Sequence, residues 1–187
     1  MRTNAPDDGS RPQLHKKWGA APAPFRARDV ALLAAAGALL YGVQVVLAPL
    51  PNIEGVSLLI ILFTLTLGSR ALWSVAVFIL LEGLTYGFGL WWFFYLYAWP
   101  VLAVLVLLLR RVIGDSVLGW SLLSAAFGLM FGLLYALLLL LIGNGFSGML
   151  AAWVAGFPFD IAHCIGNFVL CLALLQPLRN VLRRLTA

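Results

Sequence analysis

Asp160, His163 and Asn167 stand at i, i+3 and i+7 within residues 156–167, Gly-Phe-Pro-Phe-Asp-Ile-Ala-His-Cys-Ile-Gly-Asn. On a helix these three share one face. The stretch opens the last long apolar segment, and Pro158 suits the first turn of a helix, where its missing N–H costs nothing. An ionisable side chain inside a membrane helix costs roughly 2.5–3.5 kcal/mol on insertion scales, so each one calls for a compensating partner. Two readings are open: a polar site between helices, or a buried network that only locks helices together.

The elements that position these residues follow from composition. Of 187 residues, 63% are hydrophobic and 10% charged, and the mean hydropathy is +1.02. A soluble domain of this length cannot hide so much apolar surface, so the chain reads as an all-α integral membrane protein with one domain over residues 29–187. Residues 1–28 are polar, basic and proline-rich, and read as a mobile cytoplasmic tail with no signal-peptide pattern. Apolar segments are expected over 30–47, 56–67, 71–86, 90–109, 117–142 and 157–175, giving a six-helix transmembrane bundle. The second is short for a full crossing, Pro100 is expected to kink the fourth, and a Gly-rich loop is expected over 143–156. All 12 Lys and Arg lie in the two tails and in the turns at Arg70 and Arg110-Arg111, while loops 48–55, 87–90 and 143–156 hold none. By the positive-inside rule both termini are cytoplasmic and the uncharged loops face outward.

This orientation puts Glu54, Glu82, Asp160 and His163 in the outer half, with no Lys or Arg there to pair with. A carboxylate in that setting must be neutral, bind a cation or take strong hydrogen-bond donors, and His163 can donate to one of them. The alternative is protonated carboxyls bonded between helices as glue. Aromatic residues gather at the same depth. Trp91, Tyr95 and Trp99 recur every four residues. Trp91 and Trp92 suit an interfacial belt, whereas Tyr86, Tyr95 and Trp99 lie deeper. Aromatic faces beside carboxylates suit a flat, polar or cationic heterocycle.

Two stripes of small residues would let helices approach closely. Ser124, Gly128, Gly132 and Ala136 favour packing inside the bundle. Ala31, Ala34, Ala35, Ala38 and Gly42 fit a partner or internal packing equally. Cys164 and Cys171 read as small hydrophobes. Nucleotide-binding and hydrolase signatures are missing, and Asp160, His163 and Cys164 are too weak a set to indicate a metal. No enzyme activity and no cofactor is expected.

The six-segment layout, the small-residue first segment, Pro51-Asn52-Ile53-Glu54 and Pro158-Phe159-Asp160 with His163 and Gly166-Asn167 together resemble the substrate-binding S-component of energy-coupling-factor (ECF) vitamin transporters. The resemblance spans about residues 29–185. It implies a bacterial inner-membrane protein with an outward pocket built from loops one, three and five and the outer parts of helices four to six. It also implies that the Ala31, Ala35, Ala38 stripe docks on a membrane coupling protein carrying two cytoplasmic ATPases, with no nucleic acid involved. From the charge and aromatic pattern, substrate-binding residues are expected among Glu54, Glu82, Tyr86, Trp92, Tyr95, Trp99, Asp160, His163 and Asn167. Glu82, Tyr86, Tyr95 and Trp99 belong to no family motif, and the Asp160, His163 and Asn167 pattern fits the scaffold as well as recognition. The cargo class is a water-soluble vitamin or heteroaromatic micronutrient, pyrimidine- or thiamine-like, with cobalamin and purine-like nucleosides also open. Two rival readings are a structural or assembly subunit and a small intramembrane enzyme using Asp160 and His163.

Overall fold

The computed structural model describes residues 26–50 and 52–186, without the side chains of residues 183, 185 and 186. Most of the expected N-terminal tail lies outside them. The described residues are all-helical: α1 (Ala27–Leu47), α2 (Val56–Leu67), a 3₁₀ turn (Gly68–Arg70), α3 (Ala71–Tyr86), α4 (Leu90–Ile113), α5 (Val117–Leu139), a π turn (Leu140–Asn144) and α6 (Gly145–Thr186). Four helical stretches, Ala27–Leu47, Val56–Tyr86, Leu90–Ile113 and Val117–Leu182, are long and apolar enough to cross a membrane.

The short α2 is the post around which the others stand. Its sequence has no charged face, and a helix apolar all round is stable only when enclosed. Residues 56–64 are all buried, and α2 touches each of the other five α-helices. Its 12 residues rise only about 18 Å, well short of a hydrocarbon core of about 30 Å. The 3₁₀ turn joins it to α3, so the two helices together make a 31-residue apolar stretch.

The outer helices turn one face to this post and leave the other apolar. In α1 the buried residues are Leu33, Ala36, Gly37 and Leu40 at i, i+3, i+4 and i+7. The opposite face carries Ala31, Ala34, Ala35 and Ala38, all exposed, with Gly42 half-buried. Large apolar residues such as Val46, Leu84, Leu108, Val112 and Leu141 are exposed around the perimeter, as suits contact with lipid. At one end, Asp29 accepts from the Arg26 N–H (3.1 Å) and pairs with Arg70 at 3.4 Å, tying the start of α1 to the turn after α2.

The α5 stripe packs inside, as its spacing indicates. Ser124, Gly128 and Ala136 are buried, and α6 lies along them. The Gly128 Cα faces the backbone of His163 and Cys164, and the Gly132 N–H donates to Asp160 Oδ1 at 2.8 Å.

Three expectations are corrected. Residues 143–156 are not a loop: the chain turns at Gly143 (φ +98°) and Gly145 (φ +68°), and Phe146 onward is already α6. Met, Leu, Ala and Trp between Gly148 and Gly156 favour helix, and only the first two glycines adopt the left-handed backbone that ends one. Pro158 therefore sits well inside α6 and not in its first turn. α6 also runs past residue 175, carrying Pro177 within it.

Packing of α5 on α6 makes a direct prediction. A Cβ at Gly128 would meet the His163 carbonyl at 2.9 Å and Cys164 N at 3.0 Å, whereas one at Gly42 meets nothing within 4 Å. Gly128→Ala is expected to cost about 1–3 kcal/mol, as overpacking does, while Gly42→Ala is neutral or slightly stabilising. Thermal midpoints of the two variants in detergent check this.

Candidate functional site

The site begins at the N-terminus of α2. The first N–H groups of any helix lack intrahelical partners, and a carboxylate placed there meets both those donors and the positive end of the helix dipole. Glu54 fills this role. Its Oε2 accepts from the Ser57 N–H at 2.8 Å, and its Oε1 accepts from the Ser57 hydroxyl. Asn52, in the left-handed conformation at φ +57°, turns the chain into this position.

α6 supplies the partners. His163 Nε2 lies 3.0 Å from Glu54 Oε1, and both residues are buried. One turn further on, the Asn167 amide donates to Ser57 Oγ (3.1 Å) and to the Ser124 carbonyl on α5 (3.3 Å). Phe131 of α5 packs edge-on against the His163 ring, with centroids 4.8 Å apart.

Above this polar floor is a pocket of about 230 Å³. Its aromatic wall is Tyr95, Trp99 and Phe131, with Tyr95 to Trp99 at 5.4 Å and Trp99 to Phe131 at 5.3 Å between centroids. Its polar groups are Gln44 from α1, Asn52 and Glu54 from the loop, and His163 from α6. Leu47, Ala48, Leu50 and Ile53 close the loop side. Trp99 Nε1 and Gln44 Oε1 are buried without a hydrogen bond inside the protein. Unpaired polar atoms are costly in such surroundings.

Four of the nine expected binding residues therefore line one pocket: Glu54, Tyr95, Trp99 and His163. The other five do not line it. Asp160 bonds to the α5 backbone at Gly132, and Asn167 supports the floor through Ser57 and Ser124. The Trp92 indole donates to the Ile79 carbonyl (2.9 Å) and packs on Phe88, bracing α4 against α3. Tyr86 is 55% exposed at the end of α3. Glu82 is buried in α3, within electrostatic reach of the Tyr95 hydroxyl, and its Oε1 makes no hydrogen bond. Gln44, Asn52 and Phe131 are pocket residues that sequence reasoning missed. Gln44 carried a signal, as the one strongly polar side chain in an otherwise apolar segment. Phe131 carried none among so many apolar neighbours. Among the described residues no group of three or more His, Cys, Asp or Glu is arranged to hold a metal.

No protein-family model, curated protein or solved structure matches the chain.

The Glu54 environment has a consequence for pH. Burial by itself would push the carboxyl up, but the His163 and Ser57 hydrogen bonds and the His163 charge outweigh it and hold the carboxyl below its usual 4.5. A group lowered in the folded state stabilises the fold fully above its unfolded pKa and loses that contribution as pH falls through its folded one. Glu54→Gln is therefore expected to be less stable than wild type near neutral pH by about 1–3 kcal/mol, with the gap closing below pH 4.5. Parallel thermal melts against pH test this; a gap that stays constant into acid would contradict the assigned coupling.

Proposed function

We propose that this chain is the substrate-binding subunit of an ATP-driven importer, similar to the S-components of ECF-type transporters, and that it captures a compact heteroaromatic micronutrient from the outer side of the cytoplasmic membrane. The observation that carries this reading is the pocket itself, in which three aromatic walls stand over a buried carboxylate–imidazole floor. Such a pocket suits a flat ring that stacks on Tyr95 and Trp99 and offers a donor to Glu54. Its volume of about 230 Å³ lies below the roughly 300–1,000 Å³ of drug-sized ligand sites, which favours one or two rings and disfavours a corrinoid.

Sidedness supports the same reading. α2 runs from Glu54 at its N-terminus to Thr66 beside Arg110, Arg111 and Arg179 near its C-terminus, so the pocket and the arginines lie at opposite ends. With six spans and both termini inside, the pocket opens outward and the arginines face the cytoplasm. In this arrangement α2 and α3 cross separately, as do α5 and α6. The exposed Ala31, Ala34, Ala35 and Ala38 face of α1 is the surface for a membrane coupling protein with two cytoplasmic ATPases. No catalytic step is assigned to the chain. Asp160 and Asn167 serve the bundle, and His163 serves the floor.

The test is mass spectrometry of small molecules released on denaturing the purified protein. One metabolite is expected near one per chain. Gln44→Leu and Tyr95→Leu, on the pocket wall, are expected to weaken its binding about tenfold or more while leaving the protein folded. Finding no bound metabolite, with the two variants altering only thermal stability, would favour a structural subunit instead.

A further inference from the structure

Among the described residues, Glu54, Glu82 and Asp160 are the carboxyls at the pocket end of the bundle, and the protein answers two of them. Glu54 takes the Ser57 N–H, the Ser57 hydroxyl and His163, and Asp160 takes the Gly132 N–H. Glu82 is different. It is only 4% exposed, its Oε1 makes no hydrogen bond, and no Lys or Arg pairs with it among the described residues. It stands four residues before the C-terminal end of α3, the end at which a helix dipole disfavours negative charge. The connecting segments at this end, residues 48–55, 87–90 and 143–156, hold no Lys or Arg. A carboxylate buried in such a place is unfavourable unless a proton or a cation answers it.

The fold sets this group beside the aromatic wall of the pocket. Phe78, one turn earlier on the same face of α3, packs on Tyr95 and Trp99 with centroids 6.1 and 5.9 Å apart. The Tyr95 hydroxyl lies within electrostatic reach of both Glu82 and Glu54. On the α1 side, Tyr41 donates to Thr85 of α3 at 3.0 Å, and Gln44, three residues further along α1, lines the pocket with a carbonyl oxygen that has no partner. Aromatic faces attract a cation, a free carbonyl accepts its N–H groups, and a nearby carboxylate adds Coulomb attraction that weakly polar surroundings leave poorly screened. An anion would be repelled by the same groups, and a neutral ring would gain nothing from Glu82. We propose that the ligand of this pocket is an organic cation, with its positive charge on or beside a flat ring, and that Glu82 sets this preference. Glu82 does not line the pocket, so it acts through its field and not by contact. The assignment rests on the pocket being a ligand site.

The experiment titrates full-length protein in detergent, near neutral pH, with benzamidine, a single-ring cation, and with benzamide, its neutral near-isostere. Calorimetry gives the affinities, and thermal midpoints are recorded without ligand. Wild type is expected to bind the amidine about tenfold or more tighter than the amide. Glu82→Gln keeps the shape and removes the charge, and is expected to bring the two affinities within about threefold of each other. Its ligand-free midpoint is expected to stay at or above that of wild type, because an unanswered buried carboxyl has gone. Gln44→Leu, on the pocket wall, is expected to weaken both probes. Equal binding of the two probes by wild type, or an undiminished amidine preference in Glu82→Gln, would overturn the cation and leave the pocket as a ligand site. A lowered ligand-free midpoint in Glu82→Gln would show a carboxyl bonded within the bundle and also overturn it. Binding of neither probe, or binding of both that Gln44→Leu leaves unchanged, would count against the pocket itself and overturn the cation with it.

Discussion

A carboxylate buried at the N-terminus of the most enclosed helix is the constraint from which the rest of this structure follows. α2 is apolar on every side and must be surrounded, yet its first N–H groups have nothing in lipid or in an apolar core to bond with. Glu54 answers one of those donors, the Ser57 N–H, and in doing so places a charge where charge is expensive. The charge is tolerable because His163 approaches from α6 and Ser57 closes the ring of hydrogen bonds. For His163 and Asn167 to reach that point, α6 must lie close against α5. The glycines at 128 and 132 allow this, and Asp160 fastens the pair through the Gly132 N–H.

The same arrangement creates the pocket. With Glu54 and His163 drawn together over the top of α2, the space above them is bounded by whatever α1, α4 and α5 present at that depth. α4 presents Tyr95 and Trp99 one turn apart, α5 presents Phe131, and α1 presents Gln44. The floor is rigid because each of its members is held by another element. Leu47, Ala48 and Leu50, at the end of α1 and just after it, close the remaining side. Polar groups that the fold requires for its own stability thus also form the floor of the pocket. Hydrogen bonds in such a low-dielectric setting strengthen one another when complete and are costly when incomplete.

Much of this was legible in the sequence, for reasons that differ from residue to residue. Hydropathy placed α1 to α5 to within a few residues, because an apolar segment bounded by Gly, Pro or Arg leaves little choice. The absence of Lys and Arg near Glu54, Asp160 and His163 singled His163 out as a donor, and it bonds a carboxylate 109 residues away. Periodicity put Asp160, His163 and Asn167 on one face correctly, but it could not say that the three meet different partners on α5 and α2. That depends on how α6 tilts across two helices at once. Glycine count misled over residues 143–156, since only Gly143 and Gly145 use the backbone freedom that glycine offers. Tyr86 reads as a site residue from its depth, and Trp92 reads both as part of an interfacial belt and as a candidate site residue. Their direction is set by the packing of α3 on α4, which no local pattern encodes.

The central claim is that the pocket over Glu54 and His163 holds a flat polar molecule. The most direct measurement is an experimental structure of the protein purified from its own membrane and kept in lipid throughout. The account predicts planar density against Tyr95, Trp99 and Phe131, with a polar edge toward Glu54 and His163. A pocket closed by its own side chains, or holding only water-sized features in protein that keeps the Glu54–His163 bond, would contradict it.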